Sequence, residues 1–528
     1  MKLLRQHLGD HAVRAFLARF AALIHFVLTG FDRLRFGAES MLLSNNGGVD
    51  SFLFRHKIRY VDFMSYCQQL TKQLCSETED LAKAQGVPLV YLNSPNVDKQ
   101  EAALEAFRRQ SSQAPQGRIA LLSVVESCMT YRLRKNPDGR AYPRRQQAKC
   151  LFYYHYFQHP ELGLCYVRVQ THFPFILHIG FNGRHWLFQQ LRRHNVPFEQ
   201  RDNLLLKVDD VPLAQRLLDQ QRRTNFTKLL SELVQPIHPL WDFLQEHAPY
   251  HWMAEQTEWA TDFVFHSPAE LSRWYECFVR HGIERLDCTE VMRYLGKKQP
   301  GRCHGEAKID LRERPQGIRL KFWQDKNSIK IYDKHQASFR VETTISQPKA
   351  FQVFRKKLWG GQDEQPKWRP MSKSVMDMNR RAEVSASANG RLLESLATVA
   401  EPATLGELLK PLGQPVCHEG KRLARALNPL TGNDGKLLRL IAQGKFQITG
   451  FRNADLRKEY FGPSQDADAR EQKRQSAAMT RLLALLRAHG LIVKVQKSHR
   501  YQLSAQGRRV TTALLAAHYC NPQQLAAA

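Results

Sequence analysis

The chain has 528 residues, 43% of them hydrophobic and 24% charged, proportions that exclude wholesale disorder and suggest about three or four folded domains. Its 78 Lys and Arg against 50 Asp and Glu leave a formal charge of +28. That surplus favours a polyanion, because basic side chains set against phosphates release condensed counterions. Ten cysteines without a C-x-x-C spacing argue against a zinc ribbon or dithiol motif and suit a reducing cytoplasm.

In chain order, AVRAFLARFAALIHFVLTG is apolar but interrupted by Arg14, Arg19 and His25. It reads as an amphipathic helix and not as a membrane span or cleavable signal. FDRLRF follows, with Arg33 and Arg35 beside Asp32, and reads equally as a backbone-phosphate contact or a solvated loop. YVDFMSYCQQLTKQLCSETEDLAKAQG has helical spacing up to Gly86, and VPLVYL and GRIALLSVVE are short apolar strands. NPDGRAYPRRQQ marks a basic turn or hairpin tip, so residues 1–140 form an N-terminal helical or α/β domain.

From Lys149 the character changes. KCLFYYHYF, LGLCYVRVQT and FILHIGFNG are successive strands of an antiparallel meander, rich in aromatic and β-branched residues. Helices with basic faces come next, then the strand WATDFVF, a helix from PAELSRWYECFVRHG, and the strands KIDLRE and GIRLKFWQ. Residues 149–350 are therefore expected to be a central α+β core, and 351–430 a helical connector containing the Pro-rich EPATLGELLKPLGQPV.

The C-terminal segment, 434–520, runs helix, strand, helix, helix and then two strands around the basic turn KSHR. This is the order of a winged helix-turn-helix, in which the third helix enters the major groove and basic wing residues touch the backbone. Arg481, Arg487, Lys494, Lys497, His499 and Arg500 are the candidate nucleic-acid contacts. The alternative is a winged helix that binds only protein. The expected fold class is thus α+β and multidomain, with a central antiparallel sheet and a C-terminal winged helix.

SIKIYDKHQASFRVETTI places charges among β-branched residues. With HQAS as a four-residue loop, Asp333 lies opposite Arg340 and Ile331 opposite Glu342. Asp333, Arg340 and Glu342 then share one face, and Tyr332 takes the other. Two carboxylates on neighbouring strands can hold a divalent ion for phosphodiester chemistry, and Asp262 in the apolar WATDFVF would supply a third. Equally, Asp333 and Arg340 could be a simple ion pair, with Glu342 bonded to Lys321 or Lys330.

Several of these motifs carry a resemblance. Phe31–Phe36 (F-D-R-x-R-F), Cys165–Val169 (C-Y-V-R-V), Phe181–Leu187 (F-N-G-x-x-W-L), Tyr332–Thr344 and the terminal winged helix resemble those of a bacterial family of full-length proteins to which no activity is assigned. Over a shorter stretch, Asp262 in TDFVF, Tyr332-Asp333-Lys334 and Arg340-Val341-Glu342 are similar to elements of phage and plasmid rolling-circle replication initiators. That similarity implies a metal-dependent nicking domain that forms a tyrosyl phosphodiester with DNA. It implies Asp262, Asp333 and Glu342 as ligands of Mg²⁺ or Mn²⁺, Arg340 as a catalytic group, and Tyr332 as nucleophile, with Tyr153, Tyr154 and Tyr156 as competitors. Many such enzymes use an H-x-H metal pair, which this chain lacks.

No Walker motif is present, so no nucleotide is expected, and the His155/His159 and His247/His251 spacings are poorly placed for zinc. The expectation is a cytoplasmic DNA-nicking protein of mobile-element or replication-initiator type, without a membrane partner. Its rival is a non-catalytic regulator that binds DNA or RNA.

Overall fold

The computed structural model describes residues 12–111, 116–135, 137–139, 141–285, 291, 295, 308–356, 365–399, 405–418, 421–443, 446, 450–462, 469–495 and 498–519. Helix α1 (Ala12–Phe20) is shorter than the apolar run suggests: a 3-10 turn ends it, and β1 (Ile24–Ser40) begins where the sequence becomes aromatic and β-branched. FDRLRF is therefore strand and not loop, with Phe31, Asp32, Leu34 and Phe36 buried and Arg33 and Arg35 exposed.

Helices α2 (Asn46–Arg55) and α3 (Phe63–Ala84), strand β2 (Leu89–Leu92) and helix α4 (Lys99–Gln110) lead into a long hairpin, β3 (Gly117–Lys135) and β4 (Ala141–His159). The expected meander follows as β5 (Gly163–Gln170) and β6 (Leu177–Asn182), with β5 paired antiparallel to both β4 and β6. Then come α5 (Gly183–Arg193), the small hairpin β7 (Phe198–Arg201) and β8 (Leu204–Val208), helices α6 (Val211–Gln221), α7 (Phe226–Val234) and α8 (Trp241–His247), and β9 (Tyr250–Phe265). Many of these helices start at an Asn or Asp whose side chain accepts a first-turn N–H. Asn45, Asp98, Asn182, Asp210 and Asn225 all do so.

After α9 (Pro268–Arg285) the chain forms β10 (Lys308–Arg314), β11 (Gly317–Gln324), β12 (Asn327–Lys334) and β13 (Ser338–Ile345), then the hairpin β14 (Gln352–Arg355) and β15 (Lys367–Pro370) and helix α10 (Met378–Ala397). The rest is α11 (Leu405–Leu409), β16 (Val416–His418), β17 (Lys421–Ala424), α12 (Gly432–Ile441), α13 (Asn453–Tyr460), α14 (Ala469–Ala488), β18 (Ile492–Lys494), β19 (Tyr501–Leu503) and α15 (Ala505–Tyr519). The fold is mixed α+β with a large mixed sheet.

Two compact units emerge, one drawn from 1–29, 260–371 and 383–528, the other from 30–259 and 372–382. The division differs from the domain boundaries read from the sequence. A boundary near 149 would cut β4, which pairs with β3 all the way from Gln158 back to Ala141. In the second unit the strand order runs β1-β6-β5-β4-β3-β2, antiparallel except for the parallel pair β2–β3. Its core includes Leu122, Val124, Phe152, Tyr154 and Tyr156.

In the first unit the order is β10-β11-β12-β13-β9. One side of this sheet is apolar: Leu320, Phe322, Ile329, Ile331, Phe339 and Val341 pack with Phe16, Phe278 and Leu392 in one cluster. Tyr275 of α9 fastens that side by donating to the Ile318 carbonyl at 2.8 Å. The C-terminal elements have a cluster of their own, built from Leu437, Ile441, Leu456, Met479, Leu483 and Leu486 among others.

Candidate nucleic-acid interface

The register of the β12–β13 hairpin decides where its charges fall. Lys334 pairs with Ser338, Tyr332 with Arg340 and Lys330 with Glu342, leaving a three-residue loop from His335 to Ala337. His335 and Gln336 have φ of 56° and 57°, and the Ala337 N–H donates to the Lys334 carbonyl at 3.1 Å. Two left-handed central residues make a primed turn, whose twist suits a hairpin. The four-residue loop expected from the sequence is therefore one residue too long. Because strand faces alternate, the slip moves Asp333 to the other side and brings Tyr332 onto the side of Arg340 and Glu342.

Asp333 faces Phe339 across the ladder. Its Oδ1 accepts no hydrogen bond among the described residues. Burial pushes its pKa up, opposed only by a hydrogen bond from the Gln336 N–H. The β10–β11 turn closes over the Asp333 backbone, where a Cβ on Gly317, at φ 122°, would lie 1.7 Å from the Asp333 carbonyl oxygen. Only glycine fits there.

Asp262 does reach the hairpin, but it meets Arg340. The guanidinium donates Nε to Oδ1 at 2.5 Å and Nη2 to Oδ2 at 3.1 Å, and the two side chains are 1% and 6% exposed. Glu342 lies 2.5 Å from Lys330 Nζ and 3.9 Å from Arg340 Nη1. Asp262, Asp333 and Glu342 do not form a set of mutually close ligand atoms among the described residues. The three carboxylates expected as one metal centre are therefore not brought together: Asp333 faces away because of the register, and Asp262 is held by Arg340.

What the hairpin contributes instead is a polar sheet face. By register, Arg312, Arg319, Tyr332 and Arg340 form one row across β10–β13, and Asp310, Lys321, Lys330 and Glu342 the next. Asp310 accepts from Arg312 Nε and from Arg319 Nη2, both at 2.6 Å. Lys321 sits 4.4 Å from the centroid of the Trp323 ring. Burial lifts the Tyr332 hydroxyl pKa, while Lys330, Arg319 and Arg314 pull it down. On this side Tyr332 and Arg340 are buried, Arg319, Lys321, Trp323 and Lys330 are only partly exposed, and Arg312 is exposed.

The competing tyrosines lie in the second unit. Tyr154 donates to Glu126 Oε2 at 2.8 Å, and Arg168 and Lys99 engage the same carboxylate. Burial raises the Tyr154 pKa, and the Glu126 carboxylate adds to the rise. Tyr153 donates to Glu79 at 2.6 Å, and Tyr156 is buried with its pKa raised by desolvation. None is arranged as an activated phenolate, since each is desolvated and two donate to carboxylates.

In the C-terminal region the aliphatic side of α14 is buried through Met479, Leu483 and Leu486. Its exposed side, at helical spacing, carries Lys473, Arg474, Ala477, Arg481, Ala484 and Arg487. The acidic neighbour in its first turn, Glu471, pairs with Arg474 at 2.7 Å. Sequence reasoning missed Lys473 and Arg474, although their three- and four-residue spacing to Ala477 was visible. Lys494 and His499 are exposed. Arg500 is half-buried, with its guanidinium 5.0 Å from the Trp368 ring centroid and Nη1 donating to the Gly450 carbonyl at 3.2 Å. Lys497 lies outside the described residues.

A carboxylate pair that the sequence did not single out sits in the second unit. Asp32 of β1 and Glu258 of β9, both buried, bring oxygens within 4.8 Å of one another. Asn182 and Asn203 donate to Asp32 Oδ1, and Gln256 donates to Glu258 Oε1. The signal was an aspartate between the phenylalanine and arginine of FDRLRF, which only a strand assignment makes buried.

Comparison of the chain with family models, with curated proteins and with solved structures returned no match.

Proposed function

We propose that the protein binds DNA, with its C-terminal region acting as a winged helix-turn-helix and α14 as the helix that enters the major groove. The observation that carries this reading is the exposed side of α14. Basic residues alternate there with the small Ala477 and Ala484, so the helix can lie close to a duplex while its cations meet phosphates and base edges. Supporting it, Phe451 precedes α13 and bridges Tyr501 of β19 by two hydrogen bonds of 2.9 and 2.8 Å, the three-stranded connection a wing requires. Among the described residues no helix is long and apolar enough to cross a membrane.

The test is binding of the full chain to labelled duplex DNA across a salt series. Replacing Lys473, Arg481 and Arg487 by Gln is expected to lower the slope of log K against log salt by about 0.9 for every phosphate that is no longer neutralised. An unchanged slope and affinity would overturn the assignment.

A second reading, metal-dependent DNA nicking of the replication-initiator type, is favoured by one observation, the Asp32–Glu258 pair. Two buried carboxylates whose oxygens approach one another suit a hard cation such as Mg²⁺ or Mn²⁺. It would shift the ligand role away from Asp262 and Asp333. Supercoiled DNA nicked with Mn²⁺ by the wild type but not by Asp32→Asn or Glu258→Gln would support it, and absence of metal-dependent nicking would sink it.

A further inference from the structure

Strands β3 and β4 run past their neighbours. β2 pairs with β3 only from Leu121 to Val124, and β5 with β4 only from Phe152 to His159. Val125–Lys135 and Ala141–Leu151 therefore continue as a two-stranded ribbon of roughly 35 Å at about 3.3 Å per residue. The side carrying Tyr131 and Arg145 is tied to the body of the second unit: the Tyr131 hydroxyl donates to the Leu43 carbonyl at 3.0 Å, and Arg145 donates to the Ser44 carbonyl at 2.8 Å and pairs with Glu39 at 2.6 Å.

The other side is tied to the body at Thr130, whose hydroxyl donates to the Phe173 carbonyl at 2.8 Å, and is open toward the tip. Arg132, Arg134 and Arg144 fall there by alternation, and all three are exposed. Arg132 is directly opposite Arg144, a like-charge cross-strand pair of the kind that costs stability in a free sheet. No ion pair involves any of the three among the described residues, and the polar partner of Arg134 is the neutral Gln146 at 3.0 Å. Glu126, further down the ribbon on the same side, is already engaged by Arg168 and Lys99.

We propose that this ribbon is a second DNA-docking element, with Arg132, Arg134 and Arg144 set against duplex phosphates. A two-stranded ribbon has the width of the B-DNA major groove. A polyanion removes the Arg132–Arg144 repulsion, which no ion pair to either arginine offsets among the described residues. Only the identity of the polyanion rests on the function proposed above. The ribbon's residues, its unit and its strand geometry are independent of α14.

The experiment compares three full-length proteins on duplex DNA across a salt series: wild type, Arg132→Gln/Arg134→Gln/Arg144→Gln, and the α14 triple variant. The ribbon variant is expected to bind about tenfold or more weakly near physiological salt, with its salt slope reduced by about 2–3. Arg132→Lys/Arg134→Lys/Arg144→Lys should keep the slope, which separates charge from folding. A ribbon variant with the wild-type slope overturns the proposal, as does a wild type that binds no duplex. If the ribbon variant loses slope while the α14 variant does not, the ribbon stands and the winged-helix assignment falls. Arginine-dependent binding to phosphatidylserine vesicles with none to DNA would overturn the ribbon as a DNA element.

Discussion

Arg340 clamps Asp262 through two hydrogen bonds between neighbouring strands, and both side chains are almost wholly buried. Removing one partner of such a pair strands an uncompensated charge, whereas replacing both by apolar groups is often tolerated. Arg340→Met is accordingly expected to cost roughly 3–5 kcal/mol in urea unfolding, and Arg340→Met/Asp262→Leu to recover most of it. A cost below about 1 kcal/mol for the single variant would show that the pair is solvated in solution.

Asp333 behaves in the opposite way. Burial raises its pKa in the folded state and Oδ1 finds no hydrogen bond among the described residues. The folded protein thus holds this proton more tightly than the unfolded chain, so ionisation destabilises above the unfolded value of 3.8 and the penalty fades as pH falls. Asp333→Asn is expected to match or exceed wild-type stability at pH 7, with the difference shrinking toward pH 4. A metal-ligand role would instead show as lost Mn²⁺-dependent nicking with unchanged stability.

Much of the sheet was legible because its alternation is strict. GIRLKFWQ and NSIKIYDK put Leu320, Phe322, Ile329 and Ile331 on one side and cations on the other, as the structure has them. What escaped was a single loop residue: HQAS reads equally as three or four residues, and only the left-handed backbone of His335 and Gln336 decides. That one choice exchanged Tyr332 for Asp333 at the candidate site. The ion pair of Asp262 was equally hidden, since 78 positions separate it from Arg340 and nothing local links them. Part of the α14 stripe escaped for another reason: Arg481 and Arg487 lie within the leucine-spaced run and read as contacts, whereas Lys473 and Arg474 precede that run and belong to the helix only because it starts at Ala469.

His238 supplies a pH-dependent test of the second unit. Its Nδ1 accepts the Leu240 N–H at 3.2 Å, so the neutral ring carries its proton on Nε2, 3.2 Å from the Tyr250 hydroxyl, which in turn donates to the Phe175 carbonyl at 2.7 Å. Burial pushes the His238 pKa down to about 4 from 6.5. Between these values the unfolded chain binds a proton that the folded ring refuses, so stability is full above about 6.5 and is lost as pH falls. Going from pH 7 to pH 5 should cost about 2 kcal/mol more in wild type than in His238→Gln. Equal slopes for the two proteins would refute the assignment.

Asn389 of α10 joins three strand positions of the first unit. It accepts from Thr343 Oγ1 at 2.7 Å and donates to the Val341 carbonyl at 3.1 Å and to Thr261 Oγ1 at 3.3 Å, while Thr261 also contacts Thr29 Oγ1 at 3.1 Å. All of these groups are buried, so deleting the amide leaves polar atoms without water to replace it. Asn389→Ala should cost about 2–4 kcal/mol. Asn389→Asp should cost more, because a carboxylate cannot donate to the Val341 carbonyl and must also be desolvated. Urea unfolding of the two variants checks the order. If Asn389→Asp proved the milder change, the amide would be acting as an acceptor alone, and the α10 contact with β13 would have to be held by packing of Leu392 and its apolar neighbours.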